Sequence, residues 1–411
     1  MAALALAVYL LLVVLDAALR ALNLSHLRRH GQRVPPGFER AIDGALLART
    51  SDYTLARGRL ALIESLLVAA LVALFLFGGP LEWYDRTVAA GAPGFVTGGL
   101  LFFGGLAVAS TLLGLPFDAL RTFGIERRFG FSTTTLRVWI GDLAKGLLIS
   151  LLLTGGLATG GLWLVLLLPG WWWLAVWSLF LGMSVLLVFL APVLIEPLFN
   201  QYQPIADPAL DEGIRALAAR AGVGVSRILK MDASRRSRHS NAYFAGLGRV
   251  KRVVLFDTLL EQLAQAEVLA VLAHELGHWR QRHVLKRMVV YQAAALLACA
   301  GAWWLTRWPG VPALVGAAGL SFYGRLAVVA FVGSLLSSLL GPLGNAWSRS
   351  QERQADAAAV ALSGGGGALR SALIKLAAEN LSNLHPHPLF AAVHYSHPPV
   401  VERVQSISGG R

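Results

Sequence analysis

The sequence predicts a mainly α-helical integral membrane protein, in which seven spanning helices carry a smaller polar domain. Its 411 residues are 56% hydrophobic and 14% charged, whereas soluble chains average about 45–50% apolar and about 25% charged residues. The apolar residues form runs of about 20, the length that a helix needs to cross a bilayer. Two polar segments, residues 196–287 and 344–411, are long enough to build a domain together.

Seven apolar runs predict the spanning helices in chain order. The first, residues 2–22, has no basic residue before Arg20, so it reads as a retained anchor and not as a cleaved signal peptide. The other predicted spans are residues 60–79, residues 95–117, two spans within residues 146–195 that separate at Pro169–Gly170, residues 288–306 and residues 326–343. The predicted organisation is therefore five spans in 1–195, a catalytic segment 196–287, two spans in 288–343 and a second catalytic segment 344–411.

The distribution of arginine predicts the orientation. Arginines cluster in the links 23–59 and 118–145, whereas the alternate links carry few basic residues, and basic links face the cytoplasm. The N-terminus is then outside and both polar segments are inside. The excess of Arg over Lys and the abundant Ala and Gly hint at a GC-rich bacterium. We therefore expect a bacterial inner membrane, or the endoplasmic reticulum membrane in a eukaryote, with the active site towards the cytoplasm.

The composition also excludes some classes of function. The formal net charge is +13, but no basic face is interleaved with stacking aromatics, so we expect no nucleic-acid partner. The single cysteine, Cys299, lies in an apolar run, which excludes a disulfide framework or a thiolate metal site.

A short motif in the first polar segment points to a metal. His274 and His278 are four residues apart, so on a helix they share one face and can both bind one ion. A helix is supported because Val268, Leu272 and Leu276 form one apolar stripe. Zinc bound by two imidazoles and a third ligand keeps a position for water, and Glu275 could take a proton from that water. The alternative is an ordinary helix with two surface histidines, since so short a pattern also occurs by chance.

The second polar segment supplies a third ligand. Glu352 and Asp356 are again four residues apart, on a segment free of Gly and Pro up to Gly364. Glu352 could bind zinc, and Asp356 could accept a hydrogen bond from a ligating imidazole. By itself this segment is more typical of a solvated helix face. Together with the first motif, it favours a site for one Zn²⁺ per chain.

At this point the chain resembles the Ste24-type membrane zinc metalloproteases, the type I CaaX prenyl proteases of family M48. Besides the His-Glu-Leu-Gly-His motif, the resemblance rests on residues 116–131, 195–204, 237–244, 252–260 and 395–403. It implies that His274, His278 and Glu352 bind zinc and that Glu275 is the general base. It also implies seven helices that enclose a polar chamber, capped by a gluzincin-like protease domain.

Two further residues are candidates for catalysis. The resemblance places the histidine of a His-Pro-Pro sequence, here His397, near the metal, where it could stabilise an oxyanion. Asn241 could bind the oxyanion or the substrate backbone. Without the resemblance, His397 would read as a structural histidine before a rigid turn and Asn241 as a turn residue.

Residues 242–247 and 252–256 read as two strands of a hairpin that turns at Gly248–Arg249. Its edge could bind a peptide in extended form, unless the sheet has no exposed edge. Asp16 and Glu64 lie in apolar helices, where a carboxylate needs a cavity or a partner. The other histidines, which lack ligand spacing, are interpreted as surface or satisfied residues; they are His239, His283, His385, His387 and His394.

The predicted function is that of a zinc-dependent endopeptidase acting on membrane-associated or C-terminally lipidated, CaaX-type substrates. The partners expected are a peptide or protein substrate and membrane lipids, and the chain is expected to be a monomer. An HtpX-like quality-control protease without prenyl specificity is the alternative, and a non-enzymatic transporter or scaffold is a third hypothesis. An intramembrane protease of the site-2 type is disfavoured, because basic residues follow His278 directly.

Overall fold

The computed structural model describes residues 1–245 and 251–409, and helices dominate it. The helices are α1 Ala2–His30, α2 Gly44–Phe77, α3 Pro80–Gly91, α4 Phe95–Ala119, α5 Leu136–Leu167, α6 Trp172–Leu190, α7 Glu196–Phe199, α8 Pro208–Arg220, α9 Asp257–Gln262, α10 Gln265–Arg280, α11 His283–Arg307, α12 Phe322–Ser363, α13 Gly367–Glu379, α14 Pro388–His394 and α15 Val400–Gly409. The strands are β1 Tyr202–Pro204, β2 Val225–Met231, β3 Ala242–Ala245 and β4 Lys251–Phe256.

Seven helices of the described residues are long and apolar enough to cross a membrane, and each overlaps one of the predicted apolar runs. The prediction of seven spanning helices is confirmed. Several helices extend past the apolar run: α1 continues to His30, α2 begins at Gly44 and α12 continues to Ser363. Hydropathy marks only the part in contact with lipid, whereas backbone hydrogen bonding continues the helix into the polar segments. The amphipathic helix α3 was not predicted, because it is too short and polar to span.

The polar segments build one small sheet and the helices that cover it. The strand order is β1-β2-β4-β3, with β2 parallel to β4 and with β3 antiparallel to β4. Strand β3 is therefore at an edge, as the hairpin interpretation required. The predicted turn at Gly248–Arg249 lies outside the described residues. Val253 and Leu255 of β4 are fully buried in the main hydrophobic core, which also contains Leu272 and Leu276 of α10.

Helix α12 links the membrane to the protease domain without a break. It runs for 42 residues, with Pro342 inside it, from the last span to the second catalytic segment. Residues 343 and 344, where the sequence interpretation divides the chain, are consecutive residues of this helix. Its first turn is held by Asp85 of α3, which accepts hydrogen bonds from the Ser321 and Gly324 backbone amides at 2.7 and 3.0 Å.

Helices α10 and α12 approach each other closely at a glycine. A Cβ atom at Gly277 would lie 3.0 Å from both the Cα and the carbonyl oxygen of Ala355. Any larger residue would therefore push the two backbones apart. The glycine inside the His-Glu-Leu-Gly-His motif thus sets the distance between the two helices that carry the candidate metal ligands.

The carboxylates within the spans are both partnered. Glu64 accepts a hydrogen bond at 2.8 Å from Arg121, and Asp16 accepts one at 2.7 Å from Arg20. Asp16 also lines a cavity of about 450 Å³ that is bordered by α1, α2 and α12, where His394 lies 3.4 Å from it. Asp16 thus has both the partner and the cavity that an intramembrane carboxylate needs.

Candidate zinc centre and catalytic cavity

Helix α10 places His274 and His278 one turn apart on the face towards α12. Its N-terminus is fixed by Glu267, which accepts a hydrogen bond from the Ala264 backbone amide at 2.8 Å. Glu267 is in turn held by Lys375 at 2.8 Å and Ser371 at 2.7 Å, both on α13. The helix that carries the histidines is therefore anchored to the rest of the domain at its first turn.

Three ligand atoms converge on one point between α10 and α12. His274 Nε2 lies 3.3 Å from His278 Nε2 and 3.3 Å from a Glu352 oxygen, and His278 Nε2 lies 3.4 Å from the other Glu352 oxygen. Zinc–nitrogen bonds of about 2.0–2.1 Å give a tetrahedron with edges of roughly 3.3–3.4 Å. The donor set, two imidazoles and one carboxylate, and its spacing therefore fit zinc.

Asp356 lies directly behind His274. With Nε2 of His274 facing the metal position, its Nδ1–H donates to Asp356 Oδ1 at 2.8 Å. Arg403 of α15 donates to both Asp356 oxygens, at 2.6 and 2.9 Å. This arrangement fixes the tautomer and the ring plane of His274, as expected of a carboxylate behind a ligating histidine.

His283 plays the corresponding part behind His278, and sequence reasoning missed it. The two Nδ1 atoms are 3.0 Å apart, and His283 Nε2 is 3.3 Å from the Gln354 side-chain oxygen. His283 is 1% exposed. It has no i+4 spacing to the motif, because the chain turns at Arg282, where φ is +55°, before α11 begins. The turn after α10 was the feature that could have indicated the contact between His283 and His278.

Glu275 faces a cavity of about 420 Å³ together with the three candidate ligands, Asn241 and His397. Burial raises the pKa of the Glu275 carboxyl above its ordinary value. The structure therefore brings the candidate ligands and catalytic residues to one cavity, although they come from four separate stretches of the chain.

Asn241 precedes α10 in the chain and His397 follows it, but both line the same cavity. His397 Nε2 is 3.4 Å from Glu352 Oε1, and its Nδ1 is 3.0 Å from the Ser396 hydroxyl. The Asn241 side-chain oxygen accepts a hydrogen bond from the Ala242 amide at 2.9 Å, so its amide nitrogen remains the donor that can face a substrate.

Strand β3 presents an edge to this cavity. The carbonyl of Asn241 accepts a hydrogen bond from the Phe256 amide on the β4 side. Because these bonds alternate along an antiparallel strand, the backbone groups of Ala242 and Phe244 point to the opposite edge. Asn241 and Phe244 also line the cavity, so an extended peptide could add to the sheet beside the candidate zinc ligands.

The remaining histidines do not join the zinc ligands. His239 is within 2.9 Å of the Asn380 side-chain oxygen and stacks on Phe131. His385 contacts the Arg33 carbonyl, and His387 accepts a hydrogen bond from the Leu389 amide.

Comparisons with known proteins cover nearly the whole chain. Residues 23–201 match the model of the CAAX prenyl protease N-terminal region with five membrane helices, and residues 204–410 match that of peptidase family M48. The CAAX prenyl protease 1 homolog of Arabidopsis thaliana is 34% identical over 88% of this chain and 87% of its own length. The CAAX prenyl protease 1 of Saccharomyces cerevisiae is 32% identical over 91% and 88%. The crystal structure of S. mikatae Ste24p superimposes with a TM-score of 0.89, at 28% identity, over 98% of this chain and 97% of that one.

Proposed function

Because this chain belongs to peptidase family M48 and is a zinc-dependent metalloendopeptidase embedded in the membrane, we propose a specific role for each residue of its catalytic cavity. His274, His278 and Glu352 hold the zinc ion. Glu275 is the general base, Asn241 and His397 bind the substrate carbonyl as it becomes an oxyanion, and Asp356 orients His274. The HtpX-like alternative is not favoured by the comparisons, whose curated relatives include CAAX prenyl protease 1 proteins.

One observation carries this proposal: the three ligand atoms have the spacing of a zinc tetrahedron, and Glu275 shares their cavity. When bound, the ion supplies Lewis-acid polarisation of the peptide carbonyl and makes water acidic enough to lose a proton near neutral pH. Glu275 takes that proton and can pass it to the leaving amine. Asn241 donates from its amide nitrogen to the negative charge that develops on the carbonyl oxygen.

The edge of β3 binds the substrate in extended form. Hydrogen bonds to the backbone groups of Ala242 and Phe244 recognise any sequence that is extended, and they align the cleaved bond with Glu275. His397 lines the same cavity. Its Nδ1 accepts from the Ser396 hydroxyl, which leaves Nε2–H as a donor towards the reaction site.

We extend the proposal to the substrate and the location. The curated relatives are called CAAX prenyl proteases, and we propose that this enzyme likewise accepts peptides with a lipidated C-terminal CaaX sequence. We also propose that the protease domain lies on the cytoplasmic side, of the inner membrane if the source is bacterial; the arginine-rich links support this orientation.

The test is a comparison of the wild-type protein with Glu275→Gln in detergent. Zinc content is measured together with cleavage of a farnesylated CaaX peptide and of the same peptide without the lipid. Glu275→Gln should keep one zinc per chain and lose activity by about 10²- to 10⁴-fold, the usual contribution of a general base. The exposed Glu212 on α8 provides the matched control, Glu212→Gln, which should equal the wild type.

Two results would contradict the proposal. A wild-type protein without bound zinc would remove the metal site, and a Glu275→Gln protein with full activity would remove the assigned base. The ratio of the rates for the two peptides measures how much the lipid contributes. A ratio near one would reject the proposed preference for lipidated substrates while leaving the catalytic roles intact.

A further inference from the structure

A second cavity lies at the end of the strand that borders the catalytic cavity. Asn241 and Phe244 line the catalytic cavity. Just before them in the chain, Ser237 and His239 line another cavity, of about 400 Å³. One short stretch of chain therefore connects the two, and a peptide lying along it would pass from the first cavity into the second.

The lining of the second cavity is entirely polar. It consists of two arginines, one histidine, one glutamate and four serine or threonine residues. The single carboxylate, Glu126, is already engaged: it accepts hydrogen bonds from the Tyr53 hydroxyl at 2.8 and 3.0 Å and lies 3.3 Å from His239 Nε2. The cavity therefore offers hydrogen-bond donors and positive charge, and its one carboxylate, Glu126, is largely occupied by partners of its own.

The two arginines differ in how strongly they are held. Arg236 donates two hydrogen bonds to Asp142, at 2.7 and 2.9 Å, and one to Asn200 at 3.2 Å. Arg57, on α2, donates to the Tyr53 hydroxyl at 3.1 Å, its Nε lies 3.6 Å from a Glu126 oxygen, and its side chain is 51% exposed. Arg57 is thus the group best able to turn towards an incoming anion.

The position of this cavity relative to the cleaved bond follows from strand geometry. A peptide that adds antiparallel to β3 runs with its C-terminus towards the start of the strand, which is the side of His239. With the residue after the cleaved bond opposite Asn241, the next two residues lie beside Ser240 and His239, which precede β3 in the chain. Asn380 holds both of them, through the Ser240 amide and the His239 ring. Three residues of extended chain cover about 10 Å, so the third residue reaches the second cavity.

We propose that this cavity is a subsite for the C-terminal carboxylate of a substrate that ends three residues after the cleaved bond. Arg57 is its main donor, with His239 and the neighbouring hydroxyls completing it. A CaaX sequence has three residues after its cysteine and a free carboxylate at the end, so it fits this spacing. The inference rests on the proposed function, because it uses the direction of the substrate along β3.

Three peptides with the same cleavable bond test this subsite on the full-length zinc enzyme. The first has three residues after the bond and a free carboxylate, the second is its C-terminal amide, and the third is extended by two residues. The ratio of kcat/KM for acid over amide is measured. It should be about 10- to 100-fold in the wild type, the range for a hydrogen bond to a charged group, and the extended peptide should behave like the amide.

Variants assign the effect to Arg57. Arg57→Gln should bring the acid-to-amide ratio close to one, mainly through KM, and Arg57→Lys should restore part of it. The exposed Arg59, two residues further along α2, gives the matched control Arg59→Gln, which should keep the wild-type ratio. The tripeptide acid should also inhibit the wild type better than its amide, and this difference should vanish in Arg57→Gln.

The outcomes separate this inference from the proposed function. A wild-type enzyme that cleaves acid and amide equally well contradicts the carboxylate subsite but leaves the catalytic roles intact. A preference for the acid that Arg57→Gln leaves unchanged also contradicts it, because the donor would then be elsewhere. A wild-type protein that cleaves none of the peptides and holds no zinc would instead contradict the proposed function.

Discussion

At the scale of single residues, each of the two histidines proposed as zinc ligands has a partner behind its ring. His274 donates to Asp356, which Arg403 holds with two hydrogen bonds, and His278 contacts His283. A ring that is fixed in plane and tautomer loses little freedom when it binds the ion, so these partners contribute to metal affinity without touching the metal.

Asp356→Asn tests this contribution. An asparagine keeps the shape but loses the charge that favours the His274 Nδ1–H, and it breaks one of the two hydrogen bonds with Arg403. Zinc affinity should fall by about 10- to 100-fold, measured by competition with a chromophoric chelator. Asp52→Asn, at an exposed position on α2, is the control. Unchanged affinity in Asp356→Asn would mean that Asp356 does not support the site.

Sequence reasoning identified the residues of the cavity whose spacing is helical or whose motif is distinctive. His274, His278, Glu352 and Asp356 follow from i, i+4 spacing. His283 and Arg403 do not, because their contacts depend on a turn and on packing between helices that are distant in the chain: Arg403 meets Asp356 from 47 residues away. The role of Gly277 also becomes visible only when α10 and α12 are placed together.

At the scale of elements, one continuous helix, α12, joins a membrane span to the proposed zinc ligand Glu352. The rotation of the membrane part of α12 about its axis therefore determines which way its polar end faces in the catalytic cavity. One residue added to a helix rotates everything beyond it by about 100° and moves it by 1.5 Å. The face of α12 that carries Glu352 and Asp356 would then turn away from α10.

One alanine inserted between Gly344 and Asn345 tests this connection. Bound zinc should fall to the background level, measured by elemental analysis, while the protein still inserts into membranes. The control is an alanine inserted between Gly364 and Gly365, beyond the ligands, where the structure has open space beside both residues; this variant should keep its zinc. Zinc retained after the first insertion would show that α12 can unwind and is not rigid.

The elements themselves were predictable to different degrees. Long apolar runs locate the seven spans, because no other structure satisfies the backbone in lipid. The polar ends of α1, α2 and α12 could not be found in this way. The segment Leu120–Glu126, where a π-helix follows α4, changes the helical period and escapes any pattern based on 3.6 residues per turn.

At the scale of the whole molecule, the arrangement of charge predicts which side of the membrane each part occupies. A background without Cys299, made by Cys299→Ala, allows single cysteines to be placed at exposed positions. Arg86, on α3, is 77% exposed, and Glu212 lies on α8 of the protease domain. In intact cells a membrane-impermeant maleimide should label Arg86→Cys, whereas Glu212→Cys should react only after permeabilisation. The opposite pattern would place the protease domain outside.

The length of α12 also means that a small tilt of its membrane part would displace Glu352. Glu352 lies ten residues beyond Pro342, about 15 Å along the axis, so a tilt of about 4° would displace it by about 1 Å. Metal sites hold their ligand distances to about 0.2 Å, and spans readily tilt when bilayer thickness changes. The contact at Gly277 and the hydrogen bonds from Asn345 and Arg349 to α14 and the residue after it resist such a tilt. These contacts would separate the geometry of the proposed zinc site from the thickness of the lipid around the spans.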